Sequence, residues 1–301
     1  MHAYVINLAR SRDRRAYITA HLDNIGADYE IVTAVDGRDL DLDDASIISP
    51  SFRTSINLPV GSAGAALSHL SVYRKIIEDG LDMALVLEDD IILPADLDAV
   101  ADAVGKELVG AEIALLSVDS PTPLKMSAEG SVPLPSARFL ALPINAAQPL
   151  SGAAYVITRE ACERMVERNF PIRTVADAWG FYYREGILDR VRCVVPIPVH
   201  KNPKLSSTMG SYSLGTSAFG RLIAVLMQYP IPVLQQVMAY RRMRIYRQIR
   251  LSEFTDGPFV EKPSRLSLPE ALGSASASCC LTGSCPLLRI SVVRRWFIQR
   301  R

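Results

Sequence analysis

The chain is poor in the residues that usually announce a chemistry. It has four histidines and five cysteines in 301 residues, and its 33 Lys and Arg offset 32 Asp and Glu to leave a formal net charge of +1. Near-neutrality excludes a whole-molecule polyelectrolyte binder, so any basic surface must be local. No uninterrupted apolar run reaches the ~18 residues of a membrane helix, and no transmembrane segment is expected. The N-terminal MHAYVINLARSRDRR turns polar too soon for a signal peptide and reads as the first strand of a domain. The glycine-containing stretch Gly61–Gly64 is not followed by Gly-Lys-Ser/Thr and is not GxGxxG, which excludes both common phosphate-loop fingerprints there. No Ser-His-Asp arrangement and no internal repeat stand out.

The cysteines form no framework. Cys162 and Cys193 lie in apolar settings and read as reduced core residues. Cys279, Cys280 and Cys285 share the tail segment CCLTGSC, where a zinc site would lack a fourth ligand because no histidine follows His200. The odd count favours a reducing compartment.

What is present is ordinary globular material, 49% hydrophobic and 22% charged. His2–Leu8 reads as a buried strand, Ser11–Ile25 as a helix stopped by Gly26, and Tyr29–Val35 as a second strand closed by Asp36-Gly37. Gly61–Gly64 reads as a small-residue loop leading into a helix over Ala65–Ile77. Met83–Leu87, Glu112–Ser117 and Ala153–Ile157 are further strands, the last followed by a helix over Glu160–Arg168. Residues Ser120–Pro149 read as loops with a hairpin near Ala137–Leu142. Strands alternating with helices predict an α/β layered sheet, with ligands beyond the carboxyl ends of its strands. The pattern divides the chain into a catalytic domain at 1–205, a basic helical extension at 206–262 and a weakly ordered tail at 263–301. In the extension Arg241, Arg242, Arg244, Arg247 and Arg250 interleave with Met243, Ile245, Tyr246 and Ile249. That is a cationic amphipathic helix suited to an anionic membrane surface. Nucleic acid is the competing partner, but no nucleic-acid motif accompanies it.

The stretch ALVLEDDIIL sets Glu88, Asp89 and Asp90 in an apolar run at the carboxyl end of the third strand. Residues two apart point the same way in a strand, so Glu88 and Asp90 can converge on one hard cation, Mg²⁺ or Mn²⁺, while Asp89 points away. A solvated turn without a ligand is the plain alternative. Ser68 and His69 lie in the early turns of the following-glycine helix, where a hydrogen-bonded structural histidine is the ordinary case. Small residues before that helix admit either an anion at its N-terminus or simple close packing. Arg10, Arg12, Arg14 and Arg15 follow the first strand and suit phosphate contact or a solvated face. His200 is either a further metal contact or a surface residue.

Five segments in order, VINLARSRDRR, TAVDG (33–37), GAALSHLSVYRKIIEDG (64–80), LVLEDDIIL (85–93) and SGAAYVITREACERM (151–165), resemble glycosyltransferase family 25, the lipopolysaccharide biosynthesis glycosyltransferases, over roughly residues 2–200. One departure is Ala65, where the family commonly has Cys in a Gly-Cys-x-Leu-Ser-His segment. The resemblance implies a GT-A-like, Rossmann-type mixed sheet flanked by helices, a UDP-sugar donor with galactose as the family expectation, a lipid-linked or soluble saccharide acceptor, and inversion. It makes Glu88-Asp89-Asp90 the counterpart of a metal-binding DxD motif, with Glu88 and Asp90 as ligands of Mn²⁺ or Mg²⁺. It places Asn7, Leu8, Arg14, Ala34, Asp36, Gly37, Ser68, His69 and Asp89 around the donor. Such a transfer needs a base for the acceptor hydroxyl, for which Asp177 is the candidate, beside Trp179 whose ring could carry a sugar; alternatively Asp177 caps a helix and Trp179 fills the core. A cytoplasmic location, peripheral to the inner membrane face, follows from a lipid-linked acceptor. A non-catalytic glycan- or nucleotide-binding protein retaining the fold is the alternative, and a phosphatase or nucleotidyltransferase using the same acids is a third.

Overall fold

The computed structural model describes residues 1–54, 60–120, 124–205 and 253–255. The basic segment 241–250 and the cysteine-containing tail lie outside them, as does the tail unit that begins at Pro263.

The chain runs β1 (Ala3–Asn7), α1 (Arg12–Ile25), β2 (Tyr29–Thr33), a 3-10 turn (Gly37–Asp39), α2 (Pro50–Thr54), α3 (Val60–Glu78), β3 (Met83–Glu88), β4 (Ile91–Ile92) and α4 (Leu97–Gly105). It continues through β5 (Glu112–Leu115), β6 (Lys125–Ser127), β7 (Val132–Leu134), β8 (Arg138–Ala141), β9 (Ala154–Thr158) and α5 (Arg159–Arg168). Then come α6 (Trp179–Arg184), β10 (Arg190–Val195), β11 (His200–Lys201) and β12 (Glu253–Thr255). An eight-stranded sheet of order β2-β1-β3-β9-β5-β10-β8-β7 forms the centre. β1 pairs parallel with β2 and β3, and β5 parallel with β10, while β9 runs antiparallel between β3 and β5. The expectation of a mixed α/β sheet flanked by helices holds.

Period-two alternation divides the sheet into two buried faces. Tyr4 and Ile6 of β1, Ala84 and Val86 of β3, and Tyr155 and Ile157 of β9 pack with Leu67, Leu70 and Tyr73 of α3, Cys162 and Met165 of α5, and Trp179 of α6. Ala3 and Val5, Leu85 and Leu87, and Ala154 and Val156 pack with Ile18 and Leu22 of α1 and Val100 and Val104 of α4. Buried on both faces, these strands read as continuous apolar runs. In α1 the buried stripe is Arg14, Ile18 and Leu22, spaced by four, so a charged residue continues a hydrophobic row.

From β1 the chain passes through α1 to β2 on one side, and from β2 through α3 to β3 on the other. This reversal opens a crevice at the carboxyl ends of β1 and β3, where α/β sheets bind ligands. Asn7 ends β1, and its neighbour Ile6 is in register with Glu88, the last residue of β3.

Two local readings need correction. Residues Gly61–Gly64 are not a loop before a helix at Ala65; they lie inside α3. The small residues there serve packing: a Cβ on Gly64 would stand 2.6 Å from both Gly37 N and Val35 O. Glycine at that point lets α3 press against the backbone after β2. The hairpin is longer than its sequence cue, joining β7 to β8 through Ser136 and Ala137 at positive φ. Cys162 and Cys193 are free and buried, as expected. Among the described residues, no helix is long and apolar enough to cross a membrane.

Candidate active site

The acid turn leaves β3 in the crevice, and alternation sends its first two acids to opposite sides of the sheet. Glu88 follows Ala84 and Val86 onto the α3 face; Asp89 follows Leu85 and Leu87 onto the α1 face. The extended chain then bends at Asp89–Asp90 before β4. Asp90, expected with Glu88 alone, therefore also reaches the α1 side.

On that side Arg14 and Asp89 form a nearly closed pair, their side chains each 8% exposed, with Arg14 Nη2 2.8 Å from Asp89 Oδ1. Asn7 Nδ2 donates to Asp89 Oδ2 at 2.6 Å and to Ser11 O at 3.2 Å. Arg14 Nη2 also pairs with Asp90 Oδ2. Burial lifts the Asp89 carboxyl to about 6, with Asp90 and Glu88 adding to the rise against the pull of Arg14 and Asn7. Of the four arginines after β1, Arg14 is turned inward and Arg10 contacts Asp36, whereas Arg12 and Arg15 are exposed.

On the α3 side the acids are less fully partnered. His69 Nε2 approaches Glu88 Oε1 at 3.7 Å, too long for a hydrogen bond but within ion-pair range. Burial raises the Glu88 carboxyl, yet His69 and the ammonium of Lys201, with Arg14 behind them, outweigh it and hold the group below the usual range. Asp90 is pushed up by burial and by Glu88, and its Oδ1 is buried without a hydrogen-bond partner among the described residues. Asp177 is raised chiefly by burial, and the field of Glu88 adds to the rise. The Lys201 ammonium feels Glu88 most strongly, then Asp90, Asp119 and Asp177, and is held well above its ordinary value. The short β4–β11 pair and a 2.7 Å bond from Asn202 N to Asp90 O clip this lysine over the turn.

Glu88 and Asp90 thus offer carboxylate oxygens of which at least one is desolvated and unsatisfied. Among the described residues, no three His, Cys, Asp or Glu side chains form a closed metal cage. A pair of carboxylates with open positions fits a Mg²⁺- or Mn²⁺-type ion that completes its shell with substrate oxygens and water.

Asp177 does not cap a helix. The N-cap of α6 is Ala178, and Asp177 Oδ2 instead accepts from Ser151 N at 3.1 Å. Trp179 is not a sugar platform: it is 0% exposed, and its indole N–H donates to Ser151 O at 3.0 Å. Ser151, at φ 103°, is held in that uncommon backbone conformation by these two bonds and by Ala153 N donating to its Oγ. His200 is half-buried in β11, lining a small recess with Ser117, Asp119, Ser151 and Lys201.

The other expected donor-site residues gather around the end of β2. Ala34 N donates to Asn7 O, and Leu8 O accepts from Ser11 N, both at 2.8 Å. Asp36 accepts from Arg10 and Arg38, Gly37 is pressed by Gly64, and Ser68 Oγ accepts from Val35 N at 2.8 Å while donating to Gly64 O. Sequence reasoning missed Lys201, Ser151 and Tyr155. Lys201 had a faint signal, a cation beside the flagged His200; Tyr155 looked like one more apolar strand residue.

The family profile described as "Glycosyltransferase family 25 (LPS biosynthesis protein)" matches residues 1–179. A glycosyltransferase 25 family member of Aedes aegypti is 36% identical over 97 residues, 30% of this chain and 16% of that one. Procollagen galactosyltransferase 2 of Homo sapiens is 35% identical over 95 residues, 29% of this chain and 15% of that one. The human inactive glycosyltransferase 25 family member 3 is 28% identical over 179 residues, 54% of this chain and 29% of that one. The matched part spans less than a third of the length of each of these relatives. With the family profile covering more than half of its residues, this chain belongs to glycosyltransferase family 25.

Proposed function

We propose that the chain transfers a sugar, galactose by family expectation, from a UDP-sugar to a lipopolysaccharide or other glycan acceptor, with inversion and with help from Mn²⁺ or Mg²⁺ in a GT-A-like site. The observation that carries this reading is the unsatisfied, buried Oδ1 of Asp90 beside Glu88 at the switch-point crevice. Glu88 and Asp90 would hold the cation, which would supply positive charge against the diphosphate leaving group. Asn7, Leu8, Ala34, Asp36, Gly37, Ser68, Arg14 and Asp89 shape the nucleotide side, several of them by fixing backbone rather than by touching the ligand.

Asp177 serves as the base that takes the acceptor hydroxyl proton. Its burial raises its proton affinity, which suits a group that must accept a proton near neutral pH, and Ser151 N fixes the carboxylate. Membrane contact through Arg241–Arg250 belongs to the same reading, since a lipid-linked acceptor is presented at a surface.

A second reading, a non-catalytic protein that keeps the fold and binds a glycan or nucleotide, is favoured by one structural feature. The Arg14 guanidinium is paired with both Asp89 and Asp90, so an internal cation already serves the acid turn. A relative carrying the word inactive in its name points the same way. Product analysis with a panel of UDP-sugars, a saccharide acceptor and Mn²⁺ separates the two. The enzyme reading expects metal-dependent transfer; saturable UDP binding with no product from any donor defeats it.

A further inference from the structure

Behind Glu88, on the α3 face, runs a buried chain of polar groups that the transfer reaction as described leaves unused. Tyr73 OH lies 2.8 Å from Tyr155 OH, and Tyr155 OH lies 2.7 Å from His69 Nδ1. The other ring nitrogen, Nε2, faces Glu88 Oε1 at 3.7 Å. All three side chains are buried, and the His69 ring stacks at 5.8 Å on that of Tyr155. Gly152 closes the gap from above: a Cβ there would stand 3.2 Å from His69 Nε2 and 3.6 Å from Glu88 Oε1.

Counting donors and acceptors fixes the direction of this chain. Burial holds both tyrosines far above their ordinary pKa, so each keeps its hydrogen. If His69 donated through Nδ1, Tyr155 would have to donate to Tyr73. The Tyr73 hydroxyl, whose hydrogen-bond partner among the described residues is Tyr155, would then have a hydrogen with no acceptor in the core. In the opposite direction both tyrosine hydrogens are placed: Tyr73 donates to Tyr155, Tyr155 donates to Nδ1, and the Nε2 hydrogen of His69 faces the Glu88 carboxylate at 3.7 Å, longer than a hydrogen bond but directed at a negative charge. This is the arrangement by which an outer hydroxyl or carboxylate orients a histidine, and through it a ligand.

We infer that Tyr155 is a positioning residue for Glu88, acting through His69, and that the buried Tyr73–Tyr155 pair sets which ring nitrogen of His69 carries the hydrogen. The Nε2–H draws one Glu88 oxygen toward the sheet and leaves the other for the crevice. The functional half of this inference rests on Glu88 being a cation ligand; the structural half does not.

The test uses the full chain with ¹⁵N-labelled histidine and no added metal. Long-range proton–nitrogen spectra, with His69 assigned by loss of its signal in His69→Gln, should show hydrogen on Nε2 in the wild type. A mixture of tautomers should appear in Tyr155→Phe, which keeps the ring. Hydrogen on Nδ1 in the wild type overturns the inference, and that spectrum needs no variant to fold. Mn²⁺ titration by electron spin resonance should show about tenfold weaker binding in Tyr155→Phe. In a His69→Gln background, whose amide donates to Glu88 without help, the same substitution should cost less than twofold. Unchanged affinity in Tyr155→Phe, or an undiminished tenfold loss in the Gln background, overturns the positioning role. A wild type that binds no Mn²⁺ defeats the cation-ligand reading and with it Tyr155's part in metal binding, while the tautomer spectrum still decides the relay.

Discussion

Each side of the acid turn sets a carboxylate against basic or polar partners, and the two are satisfied to different degrees. On the α1 side, Asp89 has one oxygen on Arg14 and the other on Asn7, all buried. On the α3 side, Glu88 meets His69 only at 3.7 Å and Lys201 acts through its field, while Asp90, at the bend between the two sides, has one oxygen on Arg14 and the other unsatisfied among the described residues. A closed buried pair costs desolvation that its attraction roughly repays, so it specifies geometry more than it stabilises. An open carboxylate in the same crevice retains its capacity for a ligand. On the proposed reading, the contrast gives Asp89 a scaffold role and leaves the chemistry to Glu88 and Asp90, although they are adjacent in the chain.

The hardest test of that division is Asp90. Asp90→Ala should reduce sugar transfer by at least a thousandfold, the scale of losing a main electrostatic element of a transfer site, and abolish Mn²⁺-dependent UDP binding. It should cost less stability than Asp89→Ala, because Asp90 has one oxygen on Arg14 and the other unsatisfied among the described residues, and Arg14 keeps Asp89. Full activity in this variant breaks the division at its strongest point. Asp177→Asn should follow with a loss of about 10²–10⁴ in kcat and near-normal Mn²⁺ and UDP affinity, the range for removing a general base. A variant that instead lost only UDP affinity would move Asp177 from the proton to the donor.

Asp89→Ala should show the reverse pattern, with stability as the primary loss. It removes one partner of a buried pair and should cost about 3 kcal/mol, at the low end because Asp90 still partners Arg14. Asp89→Asn should cost less, since it keeps the contact with Asn7 and sheds a charge that burial already resists. Chemical denaturation gives both values. If Asp89→Ala were as stable as wild type and lost only metal binding, the two sides would be equivalent and the contrast wrong.

The sheet and the crevice were legible because they follow from period two and from order along the chain. ALVLEDDIIL announced a buried strand ending in acids, and alternation correctly parted Glu88 from Asp89. Alternation failed at Asp90 because the strand ends there: the bend before β4 turns Asp90 toward Arg14, and no local residue preference foretells how far a bend rotates a side chain. Gly61–Gly64 misled for a related reason, since small residues serve a loop and a tightly packed helix equally well, and the neighbour that decides is Gly37. Trp179 and Asp177 each carried two readings, and the partner that speaks against a sugar platform and a helix cap, Ser151, is 28 and 26 positions away respectively. Lys201 enters the site only because β11 pairs with β4 more than a hundred positions earlier. Long-range pairing of this kind leaves no periodic trace.

A smaller effect sharpens the comparison from outside it. Asp36 is a counterpart of the Arg14–Asp89 pair whose arginines are exposed: it accepts from Arg38 and from Arg10, and these bonds hold its carboxyl below the ordinary value. A carboxylate whose folded pKa is depressed stabilises the fold above its unfolded pKa, near 3.9, and that contribution is lost as pH falls through the acid range. Because Arg10 is more than a third exposed, the pair should be worth about 1 kcal/mol or less and should be screened by salt. Arg10→Ala should therefore be slightly less stable than wild type at pH 7, with the difference shrinking toward acid pH and in 1 M NaCl, where the Debye length is about 3 Å. Substitution on the buried Arg14–Asp89 pair should leave a penalty that salt barely touches. Equal salt sensitivity in both pairs would mean that burial does not separate them, and the scaffold role given to Asp89 would lose its physical basis.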